Sequence, residues 1–101
     1  MMAAKGGYVY IMTNQYRTTL YVGVTSNLRA RVFEHKSGKG SEFTGKYQCH
    51  DLVYWEFHDR IELAIEREKN IKKWKRAWKD KLIIEFNPLF KDLSFDIEEM
   101  N

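Results

Sequence analysis

The sequence predicts an α+β domain. Three observations carry that reading. Tyr8–Thr13 and Thr19–Thr25 alternate with a period of two on either side of a polar loop. Leu52–Phe57 is dense in β-branched and aromatic residues. The stretches between and after these segments carry apolar residues at helical spacing. With 101 residues there is room for one such domain, spanning 1–101.

In the first strand Tyr8, Tyr10 and Met12 face one way, and Val9 and Ile11 the other. Asn14–Thr18 is a loop of hairpin length. In the second strand Tyr21 and Gly23 share a face, and Leu20, Val22 and Val24 share the opposite one. Pairing the two strands as a hairpin brings Tyr8, Tyr10 and Tyr21 to one face. Tyrosine also favours half-buried strands without any further role. Gly23 weakens a strand unless something must come close to its backbone.

Ser26 or Asn27 caps a helix that starts at Leu28 and ends near Lys36. Leu28, Val32 and His35 form its apolar stripe, and Arg31 and His35 are i, i+4 neighbours at its border. The arginine there either snorkels or acts on a ligand. Ser37–Gly45, with three glycines, reads as a flexible loop, and Lys39, Lys46 and Tyr47 in or beside it suit contact with phosphates or bases. A plain connector fits as well. After the third strand, Asp59 and Glu62 form a capping box for the next helix. Ile61, Ala64, Ile65 and Ile71 make its stripe, and Glu68 falls inside that stripe while Glu66 does not. A carboxylate in such a place is costly unless it pairs with a cation or binds a metal. Glu68 is therefore either a metal ligand or the partner of an arginine such as Arg31. Trp74, Trp78, Leu82 and Phe86 extend an apolar stripe to Asn87, Pro88 stops it, and a break is expected within Lys73–Lys75. The tryptophans read as core residues, with base stacking as the alternative. Ser94–Asn101 is expected to fray.

Charge is uneven. Lys69, Lys72, Lys73, Lys75, Arg76, Lys79 and Lys81 crowd one stretch against Asp80 alone, and the tail is acidic. Such a block suits a polyanion such as nucleic acid, or is a solvated helix face. Cys49 is the only cysteine, which excludes an internal disulfide and a cysteine-based zinc site and fits a reducing, cytoplasmic setting. No apolar run approaches the roughly 18 residues of a membrane span, and Met1–Gly7 lacks the apolar core of a signal peptide.

Together, tyrosines on adjacent strands, an arginine on the following helix and a stripe-facing glutamate suit phosphodiester chemistry. The arginine offers a bidentate fork to phosphate. One carboxylate can hold a Mg²⁺ or Mn²⁺ ion that keeps most of its waters. A tyrosine beside arginine and metal can have a lowered pKa and deprotonate the attacking water.

These residues resemble the GIY-YIG nuclease superfamily, in its small stand-alone bacterial form. Tyr8-Val9-Tyr10 and Tyr21-Val22-Gly23 are similar to the two tripeptides that name it. Arg31 stands eight residues after the glycine, as the family's arginine does, and AIEREKNIKKW resembles its metal-binding helix with the glutamate at Glu68. The resemblance runs over about 7–93. It departs from the pattern at Tyr8, where the first tripeptide has glycine, and at Val24, where some relatives carry a basic residue. It implies a small three-stranded antiparallel sheet flanked by helices. It also implies Tyr10 and Tyr21 as base and phosphate ligand, Arg31 as phosphate clamp, His35 as a nearby proton or phosphate group, and Glu68 as the ligand of Mg²⁺ or Mn²⁺. Tyr8, Lys39, Lys46, Lys72, Lys73, Arg76 and Asn87 complete the expected nucleic-acid-facing set. The function so implied is a metal-dependent endonuclease acting on DNA in repair or recombination, with a targeting partner protein. The alternative is a nucleic-acid-binding module of the same fold.

Overall fold

The computed structural model describes residues 6–100. Three strands, β1 (Gly7–Thr13), β2 (Leu20–Thr25) and β3 (Asp51–His58), form one antiparallel sheet in the order β2-β1-β3. Around it lie α1 (Leu28–Lys36), α2 (Glu42–Lys46), α3 (Ile61–Lys72), α4 (Arg76–Phe86) and a 3₁₀ turn at Ser94–Ile97. The small antiparallel sheet flanked by helices is the expected fold.

The alternation of β1 gives the sheet two buried faces. Val9, Ile11 and Val22 pack with Tyr54, with Ala64 and Ile71 of α3 and with Ile83 of α4. Tyr10 and Met12 pack on the other side with Leu28 and Val32 of α1, Cys49, Leu52, Leu93 and Ile97, with Tyr21 beside them. A central strand covered on both faces must be apolar on both, which is why Val9 through Met12 are fully buried. Opposite the Ile11–Met12 step the β3 register shifts, leaving Val53 as an extra residue. The Asn87 side-chain amide donates to the Val53 carbonyl at 3.1 Å and to the Lys91 carbonyl at 2.8 Å. Asn87 is thus a buried peg that satisfies a bulge, and it is not at the surface for nucleic acid.

Several local expectations are corrected. Ser37–Gly45 is not all loop. Ser41 accepts from the Thr44 backbone N–H at 3.0 Å and starts α2, so a side-chain cap overrides the glycine content. Asp59 does not cap α3: the cap position is Arg60, in extended conformation and without a side-chain cap bond. Ile61 takes the first helical position and packs against Gly7, where an added Cβ would lie 2.2 Å from its Cδ1. Ile65 and Trp78 are exposed. In α4 the buried anchor is Ile83, and Trp78, five residues before it, is rotated about 140° away at 100° per residue. The chain after Leu93 is docked, with Ile97 buried under α1. Asn101 lies outside the described residues. The break at Lys73–Lys75 and the stop before Pro88 fall where expected.

Candidate active site

The site is assembled by the Tyr10 register. Tyr10 pairs with Gly23, and a Cβ on Gly23 would stand 2.5 Å from the Tyr10 ring. Glycine is needed because the phenol crosses its own neighbour strand to reach α1. There the Tyr10 hydroxyl meets His35 Nε2 at 2.8 Å, and Arg31 Nε donates to the same oxygen at 3.3 Å. His35 Nδ1 lies 3.0 Å from Thr44 Oγ1, which is 2.9 Å from Ser41 Oγ. Gly40 closes the pocket, since a Cβ there would fall 2.0 Å from His35 Nδ1.

Proton placement follows from valence. Arginine only donates, so the Tyr10 oxygen accepts from Arg31 and its own hydrogen needs an acceptor. His35 Nε2 provides it. Nδ1 is then the protonated nitrogen and donates to Thr44 Oγ1, whose hydroxyl is within reach of Ser41. Burial, reinforced by the Arg31 charge, lowers the His35 pKa to about 4, so the imidazole is neutral at pH 7. Burial likewise raises the Tyr10 pKa, more than the Arg31 hydrogen bond lowers it. At Tyr10 the pKa thus stands above the ordinary phenol value, opposite to the lowering expected of a tyrosine beside arginine and metal. Tyr10 is a fully buried neutral phenol that spaces Arg31 from His35.

Tyr21 is the half-exposed tyrosine. Its ring lies 5.4 Å from His35 and 5.8 Å from Phe43, and Phe43 lies 4.7 Å from Tyr47. Lys46 stands 5.4 Å over Tyr47. Arg31 Nη1 pairs with Glu34 at 2.8 Å, and that contact holds the guanidinium above its ordinary pKa. Sequence reading missed Ser41, Thr44, Gly40 and Phe43. The available signal was Ser41, a helix-capping residue type followed at once by the acidic Glu42 of a first turn.

Glu68 does not join this group. α3 covers the Val9–Ile11–Val22 face, and Glu68 sits between Ala64 and Ile71 on that side. It is 8% exposed, and its Oε2 holds Lys72 Nζ at 2.6 Å, so its cation partner is Lys72 and not Arg31. Helix α1, which carries His35, covers the opposite Tyr10–Met12 face. Among the described residues no three His, Cys, Asp or Glu side chains cluster as a metal cage. One buried carboxylate supplies hard oxygen donors that suit Mg²⁺ or Mn²⁺ with water completing the shell, so the donor chemistry fits such an ion.

The remaining expected contacts divide. Lys39, Lys46 and Lys73 are exposed. Arg76 is used internally, bonding Asp80 and the carbonyls of Thr18 and Arg17. Tyr8 is taken up by Trp55 and Phe57, with ring centroids at 6.0 and 5.1 Å. On β3, Tyr54, Glu56 and His58 line up with Arg67 of α3. Burial pushes the Glu56 carboxyl up, but bonds from Tyr54, Arg67 and His58 outweigh it and hold it low. That cluster satisfies itself. Among the described residues no helix is long and apolar enough to cross a membrane.

The GIY-YIG catalytic domain family matches residues 6–81. A UPF0213 protein of Natronomonas pharaonis is 38% identical over 75% of this chain and 88% of its own length. One from Staphylococcus haemolyticus is 38% identical over 77% and 94%, and one from Syntrophus aciditrophicus 42% over 75% and 87%. No solved structure matches. The tripeptides, the arginine and the glutamate all lie within the matched span, and the chain belongs to the GIY-YIG family.

Proposed function

We propose that the chain is a divalent-metal-dependent endonuclease that hydrolyses phosphodiester bonds in DNA. The observation that carries this reading is the buried chain Arg31–Tyr10–His35–Thr44 beside the half-exposed Tyr21. The chain fixes a permanently charged guanidinium at the border of α1, where its carboxylate partner, Glu34, is exposed. Arg31 binds a phosphate oxygen and balances the charge that develops on it. Tyr21, which solvent reaches, orients the attacking water or a phosphate oxygen. His35 stays neutral and holds the Tyr10 hydroxyl, so Arg31 keeps one orientation. Glu68 would hold Mg²⁺ or Mn²⁺, and the ion, when bound, polarises the phosphate and stabilises the leaving oxygen. Arg31 and Tyr21 belong to the Tyr10 face of the sheet and Glu68 to the helix covering the other, and this reading requires one sugar–phosphate strand to reach both around the β2 edge. Repair or recombination, a cytoplasmic setting and a targeting partner accord with this reading by family resemblance.

One observation favours a second reading, a binding module without cleavage: Glu68 is engaged by Lys72 and lies across the sheet from Arg31. Cleavage of single-stranded, duplex, flap and branched DNA and of RNA, with Mg²⁺, Mn²⁺ or EDTA, separates the two. The nuclease predicts cutting in metal, none in EDTA, and a loss of roughly 10²-fold or more in Arg31→Ala. Salt-sensitive binding with no cutting in any metal would establish the module instead.

A further inference from the structure

Helices α3 and α4 meet at Lys73–Lys75, and the junction leaves a notch of about 340 Å³ lined by Lys73, Trp74, Lys75 and Trp78. Trp74 is half-buried against the core, with the Arg67 guanidinium 5.2 Å from its ring centroid. That contact fixes the indole by a cation–π interaction on one face. Trp78 stands edge-on to it, with centroids 6.4 Å apart and planes at 61°, and is 64% exposed. The indole is among the largest apolar surfaces a residue carries, and here most of it faces water.

The charges around the notch are not equivalent. Lys72 is held by Glu68, and Arg76 by Asp80 and two carbonyls. Lys73 and Lys75 are exposed and form no ion pair among the described residues. The notch thus joins a fixed indole, a free indole and two free ammonium groups. An apolar protein partner would have to desolvate both lysines without compensation. A two-fold dimer through this patch would bring four uncompensated ammonium groups into one interface. A nucleic-acid strand satisfies both features, with phosphates on the lysines and a base on the indole. A base in a duplex has its faces covered by its neighbours, so the indole selects an unpaired one.

We propose that the Trp74–Trp78 notch stacks an unpaired base, so that the chain prefers nucleic acid with a single-stranded segment beside the cleaved phosphate. Base stacking at the notch is independent of catalysis, and its place beside a cleaved phosphate rests on the proposed nuclease activity. Position supports the link. Lys73 stands five positions after Glu68, about 7.5 Å along the helix axis at 1.5 Å per residue. At the other side Arg76 ties α4 to the Arg17–Thr18 turn, three residues from Tyr21.

The test is fluorescence anisotropy of a labelled oligothymidylate and of a blunt duplex of equal length, in EDTA so that nothing turns over. Wild type, Trp78→Ala, Trp78→Phe and the double variant Lys73→Ala, Lys75→Ala are compared, with circular dichroism to check folding. Wild type should bind the single strand more tightly than the duplex. Trp78→Ala should weaken single-strand binding about five-fold or more, and Trp78→Phe should keep most of it. The double lysine variant should lower the salt slope. Single-strand affinity unchanged in Trp78→Ala, or an equal loss on duplex, would overturn the proposal. So would a wild-type dimer that Trp78→Ala dissociates in sedimentation. If Trp78 is neutral while wild type cuts in Mg²⁺, the notch fails and the nuclease stands. If stacking is found but no metal supports cutting, the nuclease fails and the notch stands.

Discussion

Glu68→Ala is expected to lower metal-dependent cleavage by about 10³-fold or more while binding in EDTA stays within about two-fold of wild type. The cleavage loss follows from the donor set. Among the described residues no group of three or more His, Cys, Asp or Glu side chains offers a substitute, so removing this carboxylate removes the ligand proposed for the ion. The preserved binding follows from where the free cations lie: Lys73 and Lys75 are exposed and do not depend on Glu68. Lys72→Ala is the informative companion. It leaves Glu68 buried without its ammonium, which costs stability of the order of 1 kcal/mol because Lys72 itself is half exposed. It should spare cleavage, since the carboxylate remains for the ion. Single-turnover cleavage with saturating protein reads both. Cutting by Glu68→Ala at the wild-type rate would remove Glu68 from the metal role.

Acid should unfold the protein through His35. In the unfolded chain this histidine has the ordinary value near 6.5, and in the folded chain it is lowered to about 4. Between those values the unfolded state binds the extra proton, so stability falls as pH falls. The folded state is free of this penalty above about pH 6.5, loses stability progressively toward pH 4, and loses no more from His35 below that. The full window corresponds to about 3 kcal/mol, a large share of the stability of a small domain. The cause is local: burial strips a charged imidazole of its water, and the Arg31 charge beside it adds repulsion. Urea unfolding of wild type and His35→Gln at pH 7 and pH 5 isolates the effect, because Glu56 and Asp92, both held low, lose their contributions only at more acid pH. A pH slope that persists unchanged in His35→Gln would place the acid sensitivity elsewhere.

Much of this was legible in the sequence for one physical reason: strand and helix periodicities are local. The alternation of Tyr8–Thr13 and Thr19–Thr25 assigned the correct faces, and the stripe through Ala64 and Ile71 identified Glu68 as buried. What escaped were contacts between distant segments. Nothing near Thr44 announces that it will hold His35, because that bond joins two segments only once α2 has formed. The i, i+4 spacing of Trp74, Trp78, Leu82 and Phe86 points Trp78 inward, and only the docking of Ile83 fixes the phase of α4. Periodicity also placed Tyr10 and Glu68 without indicating that opposite faces of the sheet would separate them.

Cys49 makes the opening of the site's support measurable. Its thiol is fully buried between the Thr19 carbonyl and the Leu52 side of the sheet, and burial pushes its pKa up. As the chain's only cysteine, it reacts with an exposed-thiol reagent only when the segment from α2 into β3 lifts from the sheet. Thiol labelling therefore acts as a clock for that opening. The same lifting would detach Thr44 from His35, so the labelling rate reports how long the Arg31 support stays assembled without requiring turnover or a bound strand.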